Sequence, residues 1–447
     1  MAMAKLANVS SNVWVYFNLE QGGNYMHFQK VCVLGLGYIG LPTAAVFASR
    51  KVNVIGVDVN RHVVDTINRG EIHIVEPELD IVVHAAVSSG FLRATTTPES
   101  ADAFLIAVPT PFKVENGNDH LPDLTYIQAA SEAIAPVLAK GNLVIMESTS
   151  PVGTTEQMAT WLAEARPDLT FPQTYGEESD IRIVHSPERI LTGHAVRELV
   201  ENNRVIGGIT PKCSQQAAEL YNIFLEGECI ITNVQTAEMC KLVENSFRDV
   251  NIAFANELSM ICDKLDINVW ELIALANRHP RVDILQPGPG VGGHCISVDP
   301  WFIVSETPEE SRLIRLAREV NNIKPQWVVN KLNKTLEEFL VANPSKTAAD
   351  VTIACFGLAF KPDIDDLRES PSFTIARQLM QRHPGKVLIV EPNIDRLPDE
   401  LVSANLVSLE VALEHSNIAV LLVGHKQFNF VNIPTSTIIV DICGVHS

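Results

Sequence analysis

The feature that most constrains the fold is a glycine-spaced turn, Gly35-Leu-Gly37-Tyr38-Ile39-Gly40, which lies between a short apolar run and a helix-like stretch. The preceding run, Val31 to Leu34, has the length and composition of a buried strand. Glycines are needed here because the turn is tight and because the backbone must come close to a bound pyrophosphate. The N-terminus of the next helix would then offer N–H groups to the phosphates. The turn therefore predicts a dinucleotide-binding unit.

A carboxylate completes this fingerprint. Asp58 ends the next apolar run, Val52 to Val57. A carboxylate at that position accepts hydrogen bonds from ribose hydroxyls and repels a 2′-phosphate, so we expect NAD as the cofactor. The neighbouring Arg61 could accept that phosphate, which leaves NADP as the alternative.

The alternation of short apolar runs with helix-like stretches covers residues 30–210 and begins again near residue 346. This pattern predicts parallel sheets with helices on both faces and ligands at the carboxyl ends of the strands. The third region repeats the first, with a strand at Val351 to Phe356, a glycine turn and a later strand ending in Glu391. We expect an α/β protein with two Rossmann-like, doubly wound parallel-sheet domains joined by a helical middle domain.

Strand signals vanish between residues 212 and about 340. Two long helical patterns take their place, Thr236 to Asp263 and Arg312 to Leu340, the second interrupted by Pro325. The predicted domains are 26–211, a helical middle domain at 212–345, and 346–447. Residues 1–25 are expected to be an extended or disordered start, with an added strand or contact arm as the alternative.

Composition narrows the function classes. The formal charge of −19 argues against nucleic acid and anionic membrane surfaces as partners, and it requires local donors for any anionic ligand. No apolar run reaches the roughly 18–20 residues of a membrane-spanning helix. The eight cysteines are scattered, without a CxxC pair or zinc-ligand spacing, which indicates a cytoplasmic protein with reduced thiols and no metal site.

A second glycine-rich loop, Gly288-Pro-Gly290-Val-Gly292-Gly293-His294-Cys295, places a thiol after four glycines. Such a loop allows close approach of the backbone to a substrate, and its N–H groups can stabilise an oxyanion. A thiol added to an aldehyde gives a thiohemiacetal, from which hydride loss gives a thioester. A buried structural cysteine is the alternative from the loop alone. Asp299 follows, either as a reactive group or as a cap for Pro300-Trp301.

Lys241 and Asn245 are four residues apart in the first long helical pattern, so they share one helix face. An ammonium and an amide on one stripe can hold and polarise a substrate oxygen. An ordinary solvated helix face is the alternative.

These motifs together resemble the UDP-glucose/GDP-mannose dehydrogenase family over about residues 30–447. The resemblance also rests on motifs outside the two loops, namely Val108-Pro-Thr-Pro111, Ser148-Thr-Ser-Pro-Val-Gly153, Ser186-Pro-Glu188, Phe360-Lys361 and Arg368-Glu-Ser370. It implies two successive oxidations of a nucleotide-linked sugar by two NAD, with Cys295 as the covalent nucleophile. It also favours the reactive interpretation of Cys295, Lys241 and Asn245.

The resemblance assigns roles to individual residues. Lys241 and Asn245 would hold the C6 oxygen, Asp299 would support the lysine or position water, and Thr149 and Glu188 are candidates for water placement and base chemistry. It implies NAD contacts at Gly35, Gly37, Tyr38, Ile39, Gly40, Asp58, Pro109, Thr110, Thr149 and Arg368. It implies UDP-sugar contacts at Lys241, Asn245, Arg281, Gly292 and Lys361. The middle domain would build a homodimer or a dimer-based tetramer, and residues 346–447 would bind the UDP-sugar.

Three further stretches, Gly70 to Pro77, Arg278 to Arg281 and Asp366 to Pro371, resemble the family members that oxidise UDP-N-acetyl-D-mannosamine for cell-surface polysaccharide such as enterobacterial common antigen. UDP-glucose, UDP-GlcNAc and UDP-GalNAc are the alternative substrates. The chain departs from the UDP-glucose enzymes after Glu188, because Thr192 stands where they carry a second acid. Any role of that acid is in doubt here.

Overall fold

The computed structural model describes residues 28–113, 120–190, 193–401, 404–429 and 433–446. The chain divides into two compact units between Leu242 and Val243. The predicted N-terminal stretch 1–25 and Thr192 lie outside the described residues. Of the helices described, none is long and apolar enough to cross a membrane.

The first unit is built on one sheet. Its described strands are β1 (Lys30–Leu34), β2 (Asn53–Val57), β3 (Leu92–Thr95), β4 (Ala103–Ile106), β5 (Leu143–Met146), β6 (Arg182–His185), β7 (Arg204–Gly208) and β8 (Cys229–Asn233). Its helices are α1 (Gly40–Ser49), α2 (Arg61–Asn68), α3 (Leu79–Ser88), α4 (Thr125–Ile134), α5 (Thr154–Ala165), α6 (Pro172–Tyr175), α7 (Ala195–Glu201) and α8 (Pro211–Tyr221). The long helix α9 (Val234–Leu265) begins in this unit.

The strand order in the first sheet is β3-β2-β1-β4-β5-β6-β7-β8. The order reverses between β1 and β4, and in a doubly wound sheet this is the point where ligands bind. Val33 of β1 pairs with Gly56 of β2 and with Leu105 of β4. One apolar cluster packs around α1, α3 and α8, and a second around α4 and α5 on the other face. The sheet is therefore covered on both sides, as the alternation of the sequence predicts.

Two features of the first sheet differ from the sequence prediction. Strand β8 lies in the stretch where no strand was expected, and β7 runs antiparallel to β6. The run Cys229-Ile-Ile-Thr-Asn233 is short and directly precedes a helix, so periodicity cannot separate a strand from an extension of that helix. Its pairing with β7, from Arg204 opposite Cys229 onward, decides the conformation.

The second unit contains the rest of α9 and a smaller sheet. Its helices are α10 (Val269–Ala276), α11 (Asp299–Glu306), α12 (Arg312–Ala342), α13 (Pro371–Arg382) and α14 (Leu409–His415). Its described strands are β9 (Ile353–Phe356), β10 (Val387–Val390), β11 (Asn405–Leu406), β12 (Ile418–Leu421) and β13 (Ile438–Asp441). They are all parallel, in the order β11-β10-β9-β12-β13. This order repeats that of β3-β2-β1-β4-β5, and the predicted fold class is confirmed.

Helix α12 continues through Pro325, so the predicted interruption is wrong. Proline lacks an N–H and leaves the carbonyl four residues earlier, that of Asn321, without its helical donor. This carbonyl lies beside the second glycine-rich loop, where a Cβ on Gly290 would come within 3.1 Å of it. The helix persists because both of its turns around Pro325 are packed, with Asn321, Lys324 and Val328 buried.

Candidate active site

The glycine turn after β1 has the geometry of a pyrophosphate-binding turn. Gly35 has φ +87°, and a Cβ there would lie 2.6 Å from the carbonyl oxygen of Ala107. A Cβ on Gly40 would lie 1.8 Å from the Gly35 oxygen, so α1 can begin here only with a glycine. A Cβ on Gly37 would meet nothing within 4 Å. The first and third glycines are thus required by packing, and the second leaves an open approach to the backbone.

Asp58 is fixed at the end of β2. One carboxylate oxygen accepts the backbone N–H of Leu36 at 3.0 Å, and the other accepts that of Asn60 at 2.9 Å. The carboxylate therefore holds the glycine turn. Each carboxylate oxygen has a second lone pair, which can accept a hydrogen bond from a ribose hydroxyl.

The structure brings Thr110 and Thr149 together. The Thr110 hydroxyl donates to the carbonyl oxygen of Thr149 at 2.6 Å. The hydroxyl of the adjacent Ser148 donates to the carbonyl oxygen of Val108 at 2.7 Å. The turns that follow β4 and β5, including Pro109, are thus tied to each other at the carboxyl edge of the sheet.

Glu188 belongs to a buried cluster whose other members sequence reasoning did not assign. Its carboxylate forms an ion pair with Arg204, which also bonds Glu147 at 3.0 Å and lies 4.0 Å over the ring of Tyr221. Burial raises the pKa of Glu147 to about 7, against the opposing effect of Arg204. No sequence signal singles out Arg204, because a lone arginine at the start of a strand usually lies in solvent.

A second buried carboxylate, Glu238 on α9, also escaped sequence reasoning. Its oxygens accept the N–H of Gly153 at 2.6 Å and both the N–H and the hydroxyl of Thr155, at 2.8 and 2.6 Å. Gly153 is the N-cap of α5 and has no side chain, so Glu238 satisfies the first N–H groups of that helix. Burial raises the pKa of Glu238 although these bonds oppose the shift.

Helix α9 carries Lys241 and Asn245 one turn apart, as predicted. Asn245 is only 8% exposed, and its side-chain amide donates to the carboxylate of Asp299. Asp299 is the first residue of α11 and is 3% exposed. The interpretation of this face as an ordinary solvated surface is therefore wrong at Asn245, while Lys241 is half-buried.

Cys295 is exposed, forms no disulfide, and lies one turn before Asp299. Its carbonyl oxygen accepts the backbone N–H groups of Val298 and Asp299, at 3.0 and 2.9 Å. The alternative of a buried structural thiol is thus wrong for this cysteine. Sequence spacing alone could not exclude it, because the loop conformation decides which way the thiol faces.

The second sheet repeats the arrangement of the first. Glu391 follows β10 as Asp58 follows β2, and it accepts the N–H groups of Leu358 and Ala359 in the turn after β9, at 2.7 and 3.0 Å. The buried His425 also contacts this carboxylate, at 3.0 Å. Burial opposes ionisation of Glu391, but the hydrogen bonds from His425 and the turn lower its pKa overall.

The remaining predicted cations lie in the second unit. Lys361 is half-buried in the turn after β9, while Arg281 is exposed in the turn after α10. Arg368 is exposed and forms a bidentate pair with Asp366, with bonds of 2.6 to 3.0 Å. Gly292 is half-buried in the second glycine-rich loop. Within the described ranges, no group of three His, Cys, Asp or Glu side chains could hold a metal ion.

The chain belongs to the UDP-glucose/GDP-mannose dehydrogenase family. Residues 29–225 match its NAD binding domain, 235–323 its central domain and 354–447 its UDP binding domain. This match, together with the glycine turn and Asp58, confirms NAD as the cofactor and a dehydrogenase as the class of enzyme.

Two relatives are close in sequence. The UDP-N-acetyl-D-mannosamine dehydrogenase of Escherichia coli (strain K12) is 64% identical over 408 residues, 91% of this chain and 96% of the relative. The NDP-N-acetyl-D-galactosaminuronic acid dehydrogenase of Ralstonia nicotianae is 60% identical over 422 residues, 94% and 97% of the two chains. Among solved structures, a UDP-D-ManNAc dehydrogenase from Pyrococcus horikoshii matches with a TM-score of 0.83 and 38% identity, over 94% of this chain and 96% of that one.

Proposed function

We propose that this protein oxidises C6 of UDP-N-acetyl-D-mannosamine from the alcohol to the carboxylate, with two NAD per product and a thioester on Cys295. The observation that carries the proposal is the exposed Cys295 one turn before Asp299, whose carboxylate is bonded to Asn245. A two-electron dehydrogenase needs no thiol at this place.

NAD would be held by the turn Gly35 to Gly40, by Asp58 and by the edge formed by Pro109, Thr110 and Thr149. The open space over Gly37 and the spare lone pairs of Asp58 fit a dinucleotide. NAD supplies the acceptor for the hydride that leaves C6 in each oxidation. Arg368 is a further proposed contact for NAD.

Lys241 and Asn245 bind the C6 oxygen and stabilise the negative charge that develops on it. The thiolate of Cys295 adds to the aldehyde carbon and retains it, so no aldehyde is released. After the second oxidation, water attacks the thioester carbon and the Cys295 sulfur leaves with the electron pair. Asp299 supports the amide of Asn245, and Thr149 and Glu188 are the proposed groups for water placement and base chemistry. For Glu188 this role requires a change in its ion pair with Arg204.

UDP is proposed to bind along the second sheet, with Lys361 at the diphosphate and Arg281 and Gly292 as further contacts. Lys361 follows a turn whose N–H groups are held by Glu391. These local donors meet the requirement that the net charge of −19 imposes on any anionic ligand.

The substrate test uses purified protein with NAD and four UDP-sugars: UDP-ManNAc, UDP-glucose, UDP-GlcNAc and UDP-GalNAc. We expect the largest kcat/KM with UDP-ManNAc and two NADH for each uronate formed. The relative named for N-acetyl-D-galactosaminuronic acid makes UDP-GalNAc the second candidate. A higher kcat/KM with any other UDP-sugar would overturn the proposal that UDP-ManNAc is the substrate. One NADH per product would overturn the thioester mechanism.

A homodimer, or a tetramer built from dimers, is proposed on the basis of one face of α9. Apolar side chains are exposed along it at Val243, Phe247, Phe254, Ile261 and Leu265, with Phe247 68% and Phe254 55% exposed. Spacings of four and seven residues place them on one stripe of the helix. Exposed apolar patches of this kind are a mark of interaction sites between proteins. Cytoplasmic location and a role in cell-surface polysaccharide are part of the same proposal.

A further inference from the structure

The reactive loop, residues 286–295, packs within the second unit against residues 358–371, which we call the β9 segment. The backbone N–H of Gly293 donates to the carbonyl oxygen of Arg368 at 3.2 Å. Within the β9 segment, the N–H of Phe360 donates to the carbonyl oxygen of Asp366 at 3.1 Å and closes it into a turn. The loop that carries the thiol is thus bonded directly to the segment that carries Lys361.

Phe360 is the side chain of the β9 segment that packs against the reactive loop. A Cβ on Gly292 would lie 2.5 Å from the Glu369 carbonyl oxygen and 2.9 Å from the Cβ of Phe360. A Cβ on Gly293, which has φ +81°, would lie 2.9 Å from Cε2 of the Phe360 ring. Two of the loop glycines are therefore needed because the β9 segment lies against them. The aromatic ring thus lies directly against the loop backbone at Gly292 and Gly293.

Phe360 directly precedes Lys361, and Gly293 comes two residues before Cys295. The carbonyl oxygen of Gly293 also accepts the hydroxyl of Ser297, which ties the loop to the turn before α11. Lys361 and the thiol are therefore connected through one aromatic side chain and a short stretch of backbone.

We propose that Phe360 is a positioning residue that couples nucleotide binding at Lys361 to the conformation of the Cys295 loop. The inference rests on the proposed roles of Lys361 and Cys295. A loop with four glycines has many conformations, and its ordering is needed before the thiol can attack at the correct angle. A diphosphate bound to Lys361 fixes the β9 segment, and the ring of Phe360 then fixes Gly292 and Gly293. UDP alone, which carries no sugar, therefore changes the reactivity of Cys295.

The test measures the alkylation rate of Cys295 by iodoacetamide in the full-length chain, without and with saturating UDP, by mass spectrometry of its peptide. Neither NAD nor turnover is required. We expect UDP to change the rate by about fivefold or more in the wild type, the lower range of a coupling between sites. Phe360→Leu is expected to abolish this response while its Kd for UDP stays close to that of the wild type.

Two further variants separate coupling from other effects. Gly293→Ala adds a methyl group against the Phe360 ring, so it changes the loop side of the same contact, and it is expected to lose the response of the alkylation rate to UDP. This variant provides the test if Phe360→Leu does not fold. Phe339→Leu is the matched control, because it shortens a buried ring of the same unit that lies beside Lys346, and it should keep the response.

A UDP response retained in Phe360→Leu would show that UDP shields the thiol directly, and it would overturn the proposal. The proposal would also be overturned if UDP binds to the wild type without changing the alkylation rate of Cys295. Failure of the proposed function has a different signature, since a protein that oxidises no UDP-sugar can still show the response.

Discussion

Asn245 on α9 donates its side-chain amide to the carboxylate of Asp299 at the start of α11, and both side chains are buried. A buried carboxylate needs such a donor, because an ion without a partner in the interior is costly. The same bond fixes the orientation of the amide, so that its carbonyl oxygen and nitrogen cannot exchange places. Asn245 is thus held by Asp299 in one orientation toward the face that also carries Lys241.

Asn245→Asp should lower kcat by about 100-fold, the typical loss for one oxyanion donor. It places two carboxylates in one buried site, which raises the pKa of one of them. A carboxyl whose folded pKa is raised loses stability as the pH increases, so the variant should be more destabilised at pH 8 than at pH 5. Melting temperatures of variant and wild type at both pH values measure this. An equal difference at the two values would contradict it.

Cys295→Ser should abolish uronate formation while NAD and UDP bind with unchanged Kd. A serine hydroxyl is a far weaker nucleophile than a thiolate toward the aldehyde, so the second oxidation stalls. The measurements are uronate by mass spectrometry and binding by calorimetry. Cys262→Ser, at a buried cysteine of α9, is the control and should keep turnover. Normal uronate yield from Cys295→Ser would refute covalent catalysis.

Glu238→Gln should lower the free energy of unfolding by about 1–3 kcal/mol, because the amide nitrogen cannot accept the N–H groups at the start of α5. Glu238 lies one helical turn before Lys241 on α9. It accepts the N–H groups of Gly153 and Thr155, in the segment that follows Thr149. We therefore also expect a lower kcat with little change in the Kd of NAD. Glu164→Gln makes the same chemical change at an exposed site of α5 and should match the wild type in urea unfolding and in kcat.

Lys324 makes stability depend on pH. Burial, followed by repulsion from Lys331, lowers its pKa to about 7, although its position 4.2 Å over the Trp327 ring favours the charged form. Between pH 7 and 10 the unfolded chain therefore binds more protons at this site than the folded one, and stability rises with pH. From pH 7 to 9, Lys324 contributes up to about 2 kcal/mol to the increase.

The measurement is urea unfolding at pH 7 and pH 9 for the wild type, Lys324→Met and Lys334→Met. Lys324→Met should gain less stability than the wild type between the two pH values. Lys334 is exposed on the same helix, so its variant should follow the wild type. Identical gains in the wild type and Lys324→Met would contradict the assignment.

Phe254→Glu should convert the protein to monomers, because it puts a charge into the exposed apolar stripe of α9. Sedimentation velocity of the variant and the wild type at equal concentrations measures the change. Ile81→Glu changes an even more exposed apolar residue, on α3, and should keep the wild-type assembly. A wild type that is already monomeric, or a Phe254→Glu variant that stays assembled, would remove α9 as the interface.

The sequence by itself determined the local elements and their chemistry. The glycine turn at Gly35 to Gly40, Asp58 at the end of β2 and the i, i+4 pair of Lys241 and Asn245 follow from short-range geometry, so spacing alone predicts them. The repeated order of strand, turn and acid likewise predicted that Glu391 would stand where Asp58 stands. These are features that a chain of about ten to twenty residues specifies.

Only the tertiary structure decided which polar groups are buried and what they contact. Helix α9 buries Asn245 and Asp249 and exposes Phe247 and Phe254, the reverse of the usual pattern. The partners of Glu238 and Glu188 are Thr155 and Arg204, residues distant in the sequence. The pairing of β8 with β7 and the packing of Phe360 on the glycines of the reactive loop likewise join distant segments. Such contacts depend on how whole elements meet, and sequence periodicity carries no information about that.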